Sequence, residues 1–173
     1  MLKKINLKMI LCGVAVLFGV IAACMIFAPA IVGKQDASDP ISGLDVAFGN
    51  KDDTFGMGLG VSAYMLPFFL AIIGVVLAVV ALLGKGGKIV PIVAAVCFVG
   101  AAICYFLPLV MVRPDFGEAG DLMNSDQKSE AVKAFRELLK EFGKVGAGAI
   151  VGGIFSIIAA VVSVVPIFVC KEN

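Results

Sequence analysis

Four stretches of this chain, Met9–Gly33, Leu59–Gly84, Ile89–Val112 and Val145–Cys170, contain no Asp, Glu, Lys, Arg or His, and each runs for 24 to 26 residues. An α-helix rises about 1.5 Å per residue and the hydrocarbon core of a bilayer is about 30 Å thick, so about 20 residues cross it. Each stretch is long enough to span with some tilt. Of the 173 residues 61% are apolar and only 16% charged, with a mean hydropathy of +1.07, which excludes a water-soluble globule. The expected fold is an all-α membrane protein: residues 1–173 form a single four-helix transmembrane domain with spans at 9–33, 59–84, 89–112 and 145–170 and long exterior loops at 34–58 and 113–144.

Orientation follows from the lysines. Lys3, Lys4 and Lys8 precede the first span, Lys85 and Lys88 bound the link between the second and third, and Lys171 follows the fourth, so these short segments hold six basic residues against one acid, Glu172. Basic residues concentrated beside span ends face the cytoplasm. The two long loops carry eight basic residues diluted among twelve acids. Both termini are therefore expected in the cytoplasm and both long loops outside, in the cell (plasma) membrane. Ile21-Ala22-Ala23-Cys24 fits a bacterial lipoprotein cleavage site, a reading that would remove the first helix. The apolar run continues through Met25–Val32, so a retained helix is expected. The absence of an Asn-x-Ser/Thr sequon in either long loop, and twelve lysines against two arginines, are compatible with a bacterial source.

Cys12, Cys24, Cys97, Cys104 and Cys170 all fall within the expected spans, so no disulfide framework holds the loops. Four-helix membrane thiol oxidoreductases have about this length, but their chemistry needs a reactive surface pair, usually Cys-x-x-Cys. Cys97 and Cys104 are seven residues apart on one helix, which separates their α-carbons by about 10 Å. The five are read as small buried hydrophobes. Small residues recur at every fourth position in the spans: Gly148, Gly152, Ser156 and Ala160 in the last, Ala15, Gly19 and Ala23 in the first, Gly74 and Ala78 in the second, Gly100 and Cys104 in the third. Such ridges let helix backbones approach closely in lipid. Packing within the bundle is the preferred reading of the Gly148–Ala160 ridge, and a homodimer through the last helix the sharper one. Pro29, Pro67, Pro91, Pro108 and Pro166 punctuate the spans, and Pro67 is the deepest candidate for a kink.

In the first loop, Leu44, Val46 and Phe48 alternate with period two and are followed by the polar run Gly49–Asp53 and then Thr54-Phe55-Gly56-Met57. The expectation is a short exterior β-hairpin. Its aspartates lack the spacing of a calcium loop, and no cofactor or metal is expected. The second loop opens with Pro114, Gly117 and Gly120 and then becomes amphipathic over 126–142: Ala131, Phe135, Leu138 and Phe142 share a helical face with Val132 and Leu139 beside them. That face must be covered by headgroups, the hairpin or a partner protein, which makes Phe135, Leu138 and Phe142 the candidate partner-binding residues.

The order of a Lys-rich start, an apolar helix, a loop with Ser42-Gly43-Leu44-Asp45-Val46-Ala47-Phe48-Gly49, two helices joined by Lys-Gly-Gly-Lys, and a final Gly-Ala-Gly-Ala-Ile-Val-Gly-Gly helix resembles small uncharacterised bacterial four-span membrane proteins. The topology is also similar to claudin-like tetraspan proteins, which implies a β-structured first exterior loop. That family's loop carries a Gly-Leu-Trp motif and a cysteine pair, whereas this chain has no tryptophan and no loop cysteine, so no residue role carries over.

Three function classes follow. A structural or partner-binding membrane component fits the uncharged spans and small-residue ridges, with the lipid bilayer and another membrane protein or a second copy as partners and no nucleic acid. An uncharged channel or transporter subunit acting as an oligomer ranks second, because ionisable residues within spans usually mark ion pathways and these spans hold none. An enzyme ranks last: the chain has no histidine, no metal-ligand cluster and no nucleophile with a recognisable base.

Overall fold

The computed structural model describes residues 2–33, 40–54, 57–60, 62–85, 87–116 and 122–169. The polar segment before Pro40, Phe55 and Gly56 in the second run of the expected hairpin, Gly117, Gly120, Cys170 and Lys171 lie outside them. The chain divides into two compact units, one of 1–24, 66–104 and 151–173, the other of 25–65 and 105–150.

The first unit is a helical bundle. It contains α1 (Leu2–Cys24), α3 (Leu66–Leu82), most of α4 (Ile89–Tyr105) and the greater part of α7 (Ala147–Val169). Three apolar segments, Met9–Phe27, Ala63–Leu82 and Ala147–Val169, are long and apolar enough to cross a membrane, and Ile89–Tyr105 is a shorter apolar helix of 17 residues. The centre of the unit is Phe98 of α4, packed with Ala94, Ala95, Ala159 and Ala160 and flanked by Phe18, Val75, Leu77 and Val164. Its ring fits because Gly19 and Gly74 lie beneath it: a Cβ on either would come within 2.7–2.8 Å of the ring carbon Cε1. Phe18 and Phe155 stack at 5.4 Å. The turn after α3 is a glycine-based helix stop, in which Gly84 adopts φ +73°, its N–H donates to the Ala81 carbonyl and the Lys85 N–H donates to the Val80 carbonyl.

The second unit is built from two three-stranded antiparallel sheets and short helices. One sheet has the order β2-β1-β6 from Ile41–Ser42, Pro29–Gly33 and Gly143–Val145; the other has β3-β4-β5 from Asn50–Thr54, Met57–Gly60 and Arg113–Asp115. Ile31 pairs with Val145 and with Ile41, so residues more than a hundred positions apart share a ladder. The helices are α2 (Gly43–Phe48), α5 (Pro108–Met111) and α6 (Ser125–Phe142).

Several expectations are corrected here. The uncharged runs are longer than the helices within them: the first run leaves the α-helix at Cys24, passes through a 3-10 turn at Met25–Phe27 and becomes β1; the second begins as β4; the third ends as a helix at Tyr105. Proline supplies the cause at the third of these points, since it has no N–H and disfavours helical geometry in the residue before it. Leu107, before Pro108, sits at φ −114°, ψ 31° and Pro108 then opens α5. Pro67 is the second residue of α3, where no intrahelical bond is lost, so it produces no mid-span break. The first-loop hairpin is displaced along the chain. Leu44, Val46 and Phe48 lie in α2, not in a strand, and most of the expected turn Gly49–Asp53 falls in Asn50–Thr54, the first strand of the hairpin β3–β4.

Candidate functional site

The amphipathic pattern of the second loop forms α6. Gln127 returns its side-chain oxygen to the Asn124 N–H at 3.1 Å, an N-terminal cap that holds the helix start. Asp126 in the first turn and Lys140 in the last complement the helix dipole. The helix packs on α5, β5 and β6, which buries Phe135 and Leu139 to 3% and 4% exposure. Leu138 and Phe142 remain 47% and 44% exposed. With exposed Ala134 they form a strip at i, i+4 and i+8 to one side of the buried line. Of the three candidate partner-binding residues, Phe135 therefore belongs to the unit's own interior, and Leu138 and Phe142 are open to contact.

The four ridge residues of α7 are all buried. Gly148 lies against Ala28 and Pro29, where a Cβ would come within 2.6 Å of the Ala28 Cβ, while Ala160 joins the core around Phe98. Gly146 is held as closely, its N–H donating to the Ala30 carbonyl at 2.7 Å. Segments of this same chain occupy the ridge at Gly148 and Ala160. Ser156 is fully buried and its Oγ has no hydrogen-bond partner, whereas Ser163 donates to the Ala159 carbonyl at 2.7 Å.

The interior of the second unit holds residues that sequence reading passed over. Tyr64 and Tyr105, the only tyrosines, are both buried and meet edge to face at 6.3 Å and 84°. Ser62 organises the approach to them. Its hydroxyl donates to the Val46 carbonyl, its N–H donates to the Ala47 carbonyl at 3.0 Å, and its Oγ accepts from the Tyr64 N–H at 3.2 Å. Val46 and Ala47 are in the last turn of α2, whose carbonyls have no partner within the helix. The start of α2 is closed by Ser42, whose Oγ accepts from the Asp45 N–H at 3.1 Å and donates to the Asp45 carboxylate at 2.7 Å. The signal for this helix was present as Ser42-x-x-Asp45, a capping sequence.

Among the described residues no group of three or more His, Cys, Asp or Glu is placed to hold a metal ion. Cys24, Cys97 and Cys104 are free thiols, Cys24 exposed, and Cys12 is buried. What the arrangement offers is contact: a large apolar bundle surface, the exposed Lys85 and Lys88 at the α3–α4 turn, and the Ala134–Leu138–Phe142 strip. No protein-family model, no curated protein and no solved structure matches the chain.

Proposed function

We propose that this chain is a four-span protein of the cell membrane, a structural and partner-binding component and not an enzyme. The observation that carries the membrane reading is the reversed burial of the bundle. Apart from Cys12, Phe98 and the prolines, every buried hydrophobic side chain among the described residues of that unit is an alanine, while Ile10, Leu17, Phe69, Val76, Val96 and Val161 are exposed. In water that distribution would leave an apolar surface far beyond the few hundred Å² that soluble proteins tolerate. In lipid it is the expected one, since helices associate there through small residues and bulky aliphatic ones face the acyl chains.

The fourth span in this reading is Ile89–Tyr105, with 17 residues and a length of about 25 Å, at the short end of what crosses a bilayer. The lysine distribution favours cytoplasmic termini. Partner binding is assigned to the exposed strip of α6 at Leu138 and Phe142.

Single-cysteine accessibility tests the topology. Lys51→Cys and Lys128→Cys are expected to label from outside the cell and Gly86→Cys only from within; the reverse pattern overturns the orientation. A photocrosslinker at Leu138 in native membranes is expected to capture a defined protein that one at Lys133 does not. Equal, featureless capture from both positions removes the partner-binding assignment.

A further inference from the structure

We infer that α5 and the two residues before it are inserted in lipid: Phe106, Leu107 and Val110 lie among acyl chains at the edge of the hydrocarbon layer and complete the fourth span. This rests on the membrane reading above. The reason begins with the length of α4. Its 17 residues rise about 25 Å against a hydrocarbon core of about 30 Å. The deficit cannot be made up at its start, because the exposed Lys88 directly precedes Ile89 and a lysine there sits at the headgroups. Past its other end the next charged residue is Arg113, and residues 106–112 carry no polar side chain. A span that stopped at Tyr105 would have to thin the bilayer around it. Apolar residues beyond Tyr105 remove that mismatch.

The segment has the form that such a place requires. Within its own unit α5 packs on β1, β6, α6 and the 3-10 turn Ala63–Met65, and Pro108 and Val112 are buried. Its other side is open: Phe106, Leu107 and Val110 are 41%, 40% and 46% exposed. Backbone polar groups in lipid must be paired, and here the Leu107 carbonyl accepts from the Val110 and Met111 N–H groups and the Pro108 carbonyl from that of Val112. Chain length limits how far the three can be from the bilayer. Leu107 and Val110 follow Tyr105 by two and five residues, so they lie within about 7 and 18 Å of the end of α4 whatever the path between. The 3-10 turn beside α5 runs directly into α3 at Leu66, and the Tyr64 ring meets that of Tyr105, so α5 stands next to two of the points where the chain joins the apolar helices. Continuity with the apolar surface of α4, where Val96, Val99 and Ile103 are exposed, names the occupant as lipid.

The chain has no tryptophan, so each single-tryptophan variant of the full-length protein reports one position by its fluorescence. Val96→Trp, Phe106→Trp, Leu107→Trp, Val110→Trp and Lys128→Trp are placed in phosphatidylcholine vesicles whose acyl chains carry bromine near the ester end, near the middle, or not at all. Val96→Trp is expected to be quenched most by the deep bromine. The variants at 106, 107 and 110 are expected to lose the larger part of their emission to the shallow one, and Lys128→Trp to stay bright in every lipid. Quenching that stops at Phe106, with Leu107→Trp and Val110→Trp as bright as Lys128→Trp, overturns the inference and leaves the membrane reading intact. An unquenched Val96→Trp overturns the membrane reading itself, and the inference with it. A second measurement needs no tryptophan: Val110→Asp is expected to lower the melting temperature of the vesicle-embedded protein, because a carboxylate among acyl chains is costly. Leu138→Asp, at similar exposure, is expected to change it little. Equal melting of the two variants overturns the inference as well.

Discussion

Among the described residues of the bundle unit the buried positions are alanine, glycine, serine and proline with Cys12 and one phenylalanine, and no Ile, Leu, Val or Met is buried. In the second unit the large buried side chains include Ile26, Ile31, Ile41, Val46, Leu59, Tyr64, Tyr105, Val112, Phe135 and Leu139, and the outer face of α6 carries Lys and Glu. The second unit thus follows the rule of proteins folded in water, large apolar residues inside and charges outside. The bundle inverts it, as a lipid-facing structure does. One chain holds both patterns, and the switch between them falls inside the uncharged runs instead of at their ends.

The difference predicts opposite responses to added volume. Gly74→Leu pushes three more carbons toward the Phe98 ring, which a Cβ alone already approaches to 2.8 Å, and is expected to cost about 3 kcal/mol or more. Gly152→Leu, at a buried position of α7, is expected to act similarly, while Val161→Leu, at 60% exposure, changes little. Thermal unfolding in detergent compares the three. If Gly152→Leu and Val161→Leu melt together, the ridge faces lipid and the inverted burial of the bundle is refuted.

Removed volume acts in the other unit. Phe135→Ala empties a buried aromatic site and is expected to cost about 3–5 kcal/mol, seen as a large acceleration of hydrogen exchange across 131–142 in nanodiscs with the amides of α3 and α4 unchanged. Exchange that stays slow would mean that something other than the unit's own packing holds α6. Ser62→Ala removes the hydroxyl that bonds Val46 and Tyr64 and is expected to cost about 1–3 kcal/mol. Faster exchange confined to residues 43–49 and 62–65 is the expected signature; a uniform loss across both units would show that they unfold together.

How far the sequence foretold this follows from which signals are local. The interiors of the apolar helices were legible because each needs only an unbroken run, and α6 because its 3.6-residue pattern is strong over eighteen positions. The helix ends were misread because an absence of charge marks tolerance of burial, whether against lipid or inside a folded unit. Pro29 and Pro108 were the better boundary marks. At 44–48 the alternation of Leu44, Val46 and Phe48 suggested a strand, yet the buried set is Gly43, Val46 and Ala47, the i, i+3, i+4 face of a helix. A five-residue window does not separate the two periods. The pairing of Ile31 with Val145 had no local signal at all. At the partner surface, the pattern identified the apolar face of α6 but not which part of it the chain itself would cover.

The smallest structural effect is expected at that uncovered part. Leu138 and Phe142 are nearly half exposed and lie a turn apart on α6, so Leu138→Ser/Phe142→Ser removes little packing. Stability is expected to stay within about 0.5 kcal/mol per site, and exchange across 131–142 to remain slow. Solubility in mild detergent is expected to hold or improve, because a small exposed apolar strip is lost. If the strip seats a protein partner, the crosslink formed from position 134 in native membranes disappears in the double variant while the fold persists. An undiminished crosslink would assign the contact to another face of the unit, and a large loss of stability would show that both side chains are covered by the chain itself, making the second unit closed on every side of α6.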